Sequence, residues 1–374
     1  MDYKIVKYSE IGKIRSGKRL PKGYTVSEKI SDNKYIRVRD INSGSIDSSI
    51  VQYITDEVAE KLERYKVKTR DVIISVVGTV GAIAQIDESL NGAYLTENCD
   101  NLQVDESLCL KDYLKYYLLS EDGSKEIIAN TVGSTQPKLP IYGIENFNIK
   151  LPSIDNQKRI VKLLNSIDKK IKLNNEINNN LYEEAVALYK DKFKGIGQGK
   201  KTIGDYIVPK RGKNLLTRDA IHGDIPVVAG GIDPSAYHNQ FNTKSPVITI
   251  SASGANAGYT NLWNIAVWAS DCSYIDDSIT KNVYFWYIVL KTRQNEIFDA
   301  QTGSAQPHIY PQHIAEMSIG ELNIAEVEKY NNLVAPLFKM IGENQKENKK
   351  LSQLRDTLLP KLMNGEIDLD NIEI

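Results

Sequence analysis

Between Asp155 and Phe193 the hydrophobic pattern repeats every seven residues. Ile160, Ile167, Asn174, Leu181 and Leu188 fall on one line, and Leu164, Ile171, Asn178, Ala185 and Lys192 follow four residues later. Polar residues fill nearly all the other positions, so the pattern is an a/d seam. No Pro or Gly interrupts the stretch after Pro152 and before Gly195, which predicts one long helix. The seam is too narrow to seat a helix in a globular core, so it requires a partner helix. The same chain supplies one. From Tyr330 a second seam runs through Leu337, Asn344, Leu351 and Leu358, with Val334, Ile341, Asn348, Arg355 and Leu362 beside it. A shift of 170 maps each seam position onto the first, both asparagines included. Polar residues at matched core positions cost stability and select a register.

The stretches before and between these helices read as mixed α/β. Tyr35 to Arg39 alternates like a strand, and Asp71 to Val77 reads as a buried strand stopped by Gly78-Thr79-Val80-Gly81. Ala82 to Asp87 returns as its hairpin partner. Leu110 to Leu119 carries Tyr113, Tyr116 and Tyr117 on one helical face, and Ser153 or Asp155 is placed to cap the first long helix. After the glycine-rich break at 195–199 the pattern begins again. Ile203-Gly204 answers Ile11-Gly12, Arg211-Gly212-Lys213 answers Ser16-Gly17-Lys18, and Val247 to Gly254 answers the Ile73 strand and Gly78. Tyr284 to Leu290 answers the tyrosine-rich helix, and Gly303 to Pro307 answers Gly133 to Pro137. The expected order is domain (1–153), helix (154–194), domain (195–322), helix and tail (323–374), a tandem duplication.

A chain of 374 residues and 42.0 kDa, 41% hydrophobic, is large enough for two or three packed domains. Three cysteines, Cys99, Cys109 and Cys272, show no CxxC spacing and suit a reducing cytoplasm. The charged start lacks a leader's apolar run, and no stretch approaches a membrane span. Recognisable catalytic patterns fail on inspection. Gly12 to Arg19 nearly fits a phosphate-binding G-x-x-x-x-G-K-[ST] loop, but Arg19 cannot give the hydroxyl a magnesium ion needs. Gly197 to Thr202 fails similarly. His222, His238, His308 and His313 share no metal-ligand spacing and read as surface or loop residues. No G-x-S-x-G elbow and no recurring carboxylate pair is found.

Charge does recur. Lys+Arg 47 against Asp+Glu 48 makes the chain neutral, yet Met1 to Asp40 holds eleven basic and five acidic residues. Lys190 to Arg218 holds nine basic and two acidic residues. Two equivalent basic stretches in a neutral protein are the footprint expected for a phosphate backbone, with arginines available for guanine edges. The candidate contacts are Arg15, Lys18, Arg19, Arg37, Arg39 and Lys138 in the first copy, and Lys210, Arg211, Lys213 and Arg218 in the second.

Leu151-Pro152-Ser153-Ile154-Asp155-Asn156-Gln157-Lys158-Arg159-Ile160 and the stretch Leu354 to Ile367, with the two Gly-Ser-x-Gln-Pro loops, resemble the specificity subunits of Type I restriction-modification systems. Ile324 to Lys329 departs from the Gln-Lys-Arg form of the first helix. The resemblance spans the whole chain. It implies an α+β fold of two target recognition domains separated by two long helices in an antiparallel intramolecular coiled coil. It further implies a non-catalytic chain that reads a split site in double-stranded DNA and docks two methyltransferase subunits, with a restriction-translocase subunit as a further partner. S-adenosylmethionine would then bind the methyltransferase, and this chain would hold no cofactor. A self-sufficient nucleic-acid-modifying enzyme would need a methyltransferase or nuclease motif, and a plain coiled-coil scaffold leaves the paired basic stretches unexplained.

Overall fold

The computed structural model describes residues 2–42, 44–303 and 306–367. Ser304 and Ala305 of the second Gly-Ser-x-Gln-Pro loop, and the tail 368–374, lie outside the described residues. The chain folds as two compact units, one of residues up to Lys169 together with those from Leu351 on, the other Lys170–Lys350. Two long α-helices, Ile154–Lys192 and Ile324–Met363, contribute residues to both.

The first unit is built on a four-stranded antiparallel sheet. Its order is Gly12–Ser16, Cys99–Val104, Val72–Ser75, Ile83–Gln85. Every residue of Val72–Ser75 is buried, as a continuous apolar run with flanking turns requires. The helix Lys111–Leu119 covers one face, burying Tyr113, Tyr116 and Tyr117, each at about 1.5–3 kcal/mol. All three phenols find partners: Lys150 O (2.6 Å), Asp168 Oδ2 (2.6 Å) and Asn148 O (2.6 Å). Ile160, Leu164, Leu359 and Leu362 complete this core. A smaller sheet, Gln52–Tyr53, Lys34–Ile36, Tyr94–Leu95, includes one parallel pair.

The second unit repeats this topology. Its sheet runs Lys210–Arg211, Cys272–Asp276, Val247–Ser251, Thr260–Trp263, and its smaller sheet Ala236–His238, Ile225–Val228, Trp268–Ala269 again has one parallel pair. Val283–Thr292 replaces the tyrosine-rich helix. The core here is aromatic: Phe193 lies 5.1 Å from Phe285 and 5.5 Å from Tyr330, and Tyr284 stacks on Phe338 at 4.9 Å. Gly342 lets the second long helix approach Asn264, where an added Cβ would come within 2.6 Å of the Asn264 side chain.

Several local expectations change. Val38–Asp40 is a 3-10 turn and the strand stops at Ile36, because Asp40 accepts the Arg37 N–H at 2.8 Å and closes the chain on itself. Ile203 answers Tyr8 rather than Ile11: their N–H groups donate to Met317 O and Phe147 O, each at 2.9 Å, at the start of matching capped turns. The second long helix begins at Ile324, where Asn323 Oδ1 accepts the Ala325 N–H at 3.1 Å. Ser153 Oγ accepts the Asn156 N–H at 3.3 Å and caps the first. Lys192 is exposed while Tyr189 is buried and Phe193 packs on the core, because an undistorted helix drifts off a strict seven-residue repeat. His238 is buried, accepting the Ile221 N–H at 3.0 Å and lying edge-on to Trp268.

Within the first unit Ile160, Leu164 and Ile167 are buried, with Leu358 and Leu351 half-buried on the other helix. Within the second the helices run antiparallel, Asn174 Nδ2 donating to Asn348 Oδ1 and Asn344 Nδ2 to Asn178 Oδ1, each at 2.8 Å. Ile341 is buried there, while Ile171, Leu181 and Leu337 are half-buried. Paired amides satisfy each other only in register. Replacing Asn178 and Asn344 together with Ile should therefore raise Tm in a thermal melt while letting the helices slip. A lower Tm would show that the amides contribute more than an apolar pair.

Candidate nucleic-acid interface

In both units the basic stretch forms the edge strand of the main sheet and the turn that follows it. Arg15 and Ser16 pair with Asn101 and Asp100, and Lys210 and Arg211 pair with Tyr274 and Ser273. The next residue is glycine in each. A Cβ at Gly17 would lie 2.0 Å from Thr96 O, and one at Gly212 would lie 2.4 Å from Ser270 O. Only glycine lets the chain press this closely against the facing loop. The contact is then pinned: Gly17 and Lys18 N–H donate to Cys99 and Leu95 O at 2.9 and 2.8 Å, and Gly212 and Lys213 N–H donate to Cys272 and Ala269 O at 2.9 Å.

A third bond completes each platform with a different side chain. The Tyr35 hydroxyl donates to Lys18 O at 2.8 Å, and Trp268 Nε1 donates to Lys213 O at 2.9 Å. Both units thus fix the backbone under a lysine whose side chain is exposed.

The neighbouring arginines are paired with carboxylates. Arg19 Nε donates to Glu97 Oε1 at 2.6 Å, and Arg211 Nη2 donates to Asp271 Oδ1. Burial raises the affinity of the Glu97 carboxyl for protons, but its bonds from Arg19, its own N–H and Thr96 outweigh that and hold it below the usual carboxylate range. Lys138 bridges Val77 and Val132, and His308, 170 residues on, bridges Ser253 and Thr302 in the same way. Asp100 is buried, and burial raises its pKa against the opposing Ser16 bond and Lys138 charge.

The structure therefore places Arg15, Lys18 and Arg19 on one edge strand and its turn, and Lys210, Arg211 and Lys213 on the other, while Lys138 pairs beyond the inner strand Val72–Ser75. Arg37 stands apart. Its side chain is only 16% exposed and donates to Asp40, Gln52 and Ile50 O, holding the 3-10 turn in place. Arg39 and Arg218 are exposed, lying 3.9 Å from Asp40 and 3.7 Å from Asp219. Sequence reasoning passed over Glu97, Asp271 and Trp268, placed Tyr35 only in a strand, and read His308 as a surface or loop residue. Only His308 carried a readable signal, the 170-residue step from Lys138.

Among the described residues no group of three His, Cys, Asp or Glu side chains is placed to hold a metal ion. No helix there is long and apolar enough to cross a membrane. Cys99, Cys109 and Cys272 are free and buried, and burial raises the pKa of each thiol.

Residues 1–183 match the family model of the Type I restriction modification DNA specificity domain. The chain is 25% identical over 304 residues to the Type I restriction enzyme MjaIX specificity subunit of Methanocaldococcus jannaschii, covering 70% of each chain. It is 24% identical over 271 residues to a putative type I specificity subunit of Mycoplasma pneumoniae, covering 66% of this chain and 71% of that one. The crystal structure of a Type-I restriction-modification system S subunit from M. genitalium superposes with a TM-score of 0.60 at 18% identity. It covers 97% of this chain and 96% of that one, a likeness of fold.

Proposed function

We propose, from the match of residues 1–183 to the Type I restriction modification DNA specificity domain, that the whole chain is the DNA-reading subunit of such a system. Each unit reads one short word of a split duplex target. The observation that carries this reading is the recurrence of the platform: a basic edge strand, an obligatory glycine and a pinned lysine in both units. Charge alone would also serve to keep a sheet edge from pairing with another chain, but the glycine and the pinned backbone recur beside it in both units. The chain performs no catalysis in this reading. It docks two methyltransferase subunits, one per repeat, and the methyl donor binds those subunits.

Lysines and arginines that neutralise phosphates release counterions, so binding must weaken steeply with salt. Replacing Arg15 and Lys18 together with alanine should flatten the slope of log K against log salt by about 2. Replacing Lys210 and Lys213 together should do the same. Titration of random-sequence duplex at four salt concentrations measures this, and a slope near zero for the unaltered chain would exclude DNA as the ligand.

A further inference from the structure

The two arginine–carboxylate pairs are too exposed to be explained by stability. The Arg19 and Arg211 side chains are 81% and 41% exposed, and their partners Glu97 and Asp271 are 29% and 31% exposed. Exposed ion pairs of this kind contribute little to stability. Yet both units build the same triad from different residues. The second oxygen of Glu97 accepts from the Thr96 hydroxyl at 3.0 Å, and the second oxygen of Asp271 accepts from the Ser253 hydroxyl. Hydroxyl, carboxylate and guanidinium form one chain of hydrogen bonds, standing in each unit beside a glycine-locked, aromatic-pinned backbone.

The pairing leaves part of each guanidinium available. Arg19 uses Nε for Glu97, and its two Nη groups make no hydrogen bond among the described residues; Arg211 uses Nη2 for Asp271. A fixed guanidinium fork matches the O6 and N7 acceptors of guanine, whereas a lysine is a point charge suited to phosphate. The carboxylate decides between these partners. A phosphate brought against Arg19 or Arg211 would be repelled by Glu97 or Asp271, but a neutral base edge would not, and the carboxylate could accept from the paired cytosine N4 amine.

We propose that Arg19 and Arg211 each read a guanine, one per word, and that Glu97 and Asp271 are positioning residues that orient them for a base edge. The inference rests on the DNA-reading function above. It divides labour on each platform: lysines track the backbone and the buttressed arginine discriminates.

Selection of bound sequences from a random duplex library tests it, using the full chain together with the subunits that co-purify with it. The unaltered protein should select at least one G·C pair in each word. Arg19→Ala should relax discrimination at one G·C position of one word by about 10- to 100-fold, leaving the other word intact, and Arg211→Ala should act on the other word. Arg19→Lys should not restore the preference, because a single point charge cannot make the bidentate contact. Glu97→Gln and Asp271→Asn should lower discrimination at the same positions by about fivefold or more while total affinity holds or rises. The proposal is overturned if Arg19→Ala weakens all sequences equally and flattens the salt dependence, which marks a phosphate contact. It is also overturned if Glu97→Gln leaves the preference untouched. An unaltered protein that binds duplex but selects no sequence removes the reading function itself, a separate result from either.

Discussion

Asp168→Ala should destabilise the first unit by about 3–5 kcal/mol. Asp168 lies at the centre of a polar network between the first long helix and the tyrosine-rich helix. Its Oδ2 is 2.6 Å from the Tyr116 hydroxyl and 3.7 Å from Lys115 Nζ, and its Oδ1 accepts from Arg355 Nη1 at 3.0 Å. Lys115 is buried, its ammonium 3.9 Å from the Tyr116 ring centroid. Removing the carboxylate leaves that buried ammonium without the anion 3.7 Å away, while the phenol keeps Asn165 Oδ1 at 2.8 Å. Asp168→Asn, which keeps an acceptor and loses the charge, should recover part of the loss.

The pH dependence follows from Lys115. Burial depresses its pKa, with Asp168 and Asp112 acting in the opposite direction. Between that depressed value and the ordinary lysine value of about 10.4, the unfolded chain holds more protons than the folded one, so stability rises with pH. Loss of Asp168 lowers the folded pKa further and widens the window. The deficit of the alanine variant should therefore shrink as pH rises toward the depressed Lys115 value of the unaltered protein and stay level above it, as measured by urea unfolding. A deficit under about 1 kcal/mol at pH 7 would mean that the network is solvated and stabilises little.

Lengthening both long helices by one heptad should alter the gap between the two words and leave the words unchanged. The first helix gives residues 154–169 to one unit and 170–192 to the other, and the second gives 351–363 and 324–350. Seven residues inserted after Lys169 and seven after Lys350 keep the heptad phase, so the seam residues on either side retain their faces. Each helix grows by about 10 Å at about 1.5 Å per residue. One base-pair step is about 3.4 Å, so the permitted gap should lengthen by about three base pairs. The platforms that carry Lys18 and Lys213 are untouched, so neither word should change.

The long helices were readable because an a/d repeat interrupted by asparagines is the mark of helices paired in register, and a common shift exposed the partner. The duplication was readable for a related reason, since glycines required by backbone geometry hold their places while surfaces vary. Gly78 and Gly254 both take positive φ, 85° and 79°, after matching buried strands. What stayed hidden depends on contacts distant in sequence. Glu97 and Asp271 are ordinary acidic residues until the fold brings them against Arg19 and Arg211. Gln157 reads as one letter of a motif, yet its amide is fully buried, accepting from Leu110 N–H at 2.9 Å and donating to Leu108 O at 3.0 Å and Pro152 O at 3.1 Å. In the second unit Asn331, at a different helix position, takes over, its Oδ1 accepting from Tyr284 and Phe285 N–H at 3.1 and 3.3 Å. Arg37 shows the converse. A basic residue in a basic stretch counts toward charge in the sequence, while its guanidinium closes a turn in the fold.

Two repeated platforms reading two separate words, with the helices setting the spacing, make a claim that one measurement tests most directly. The methylated sites left on random duplex by the complex can be mapped twice, once with the natural helices and once with both lengthened by a heptad. The predicted result is two short words divided by unread bases, with the same words and a longer gap in the second map. A single continuous word, or a gap indifferent to helix length, would contradict it.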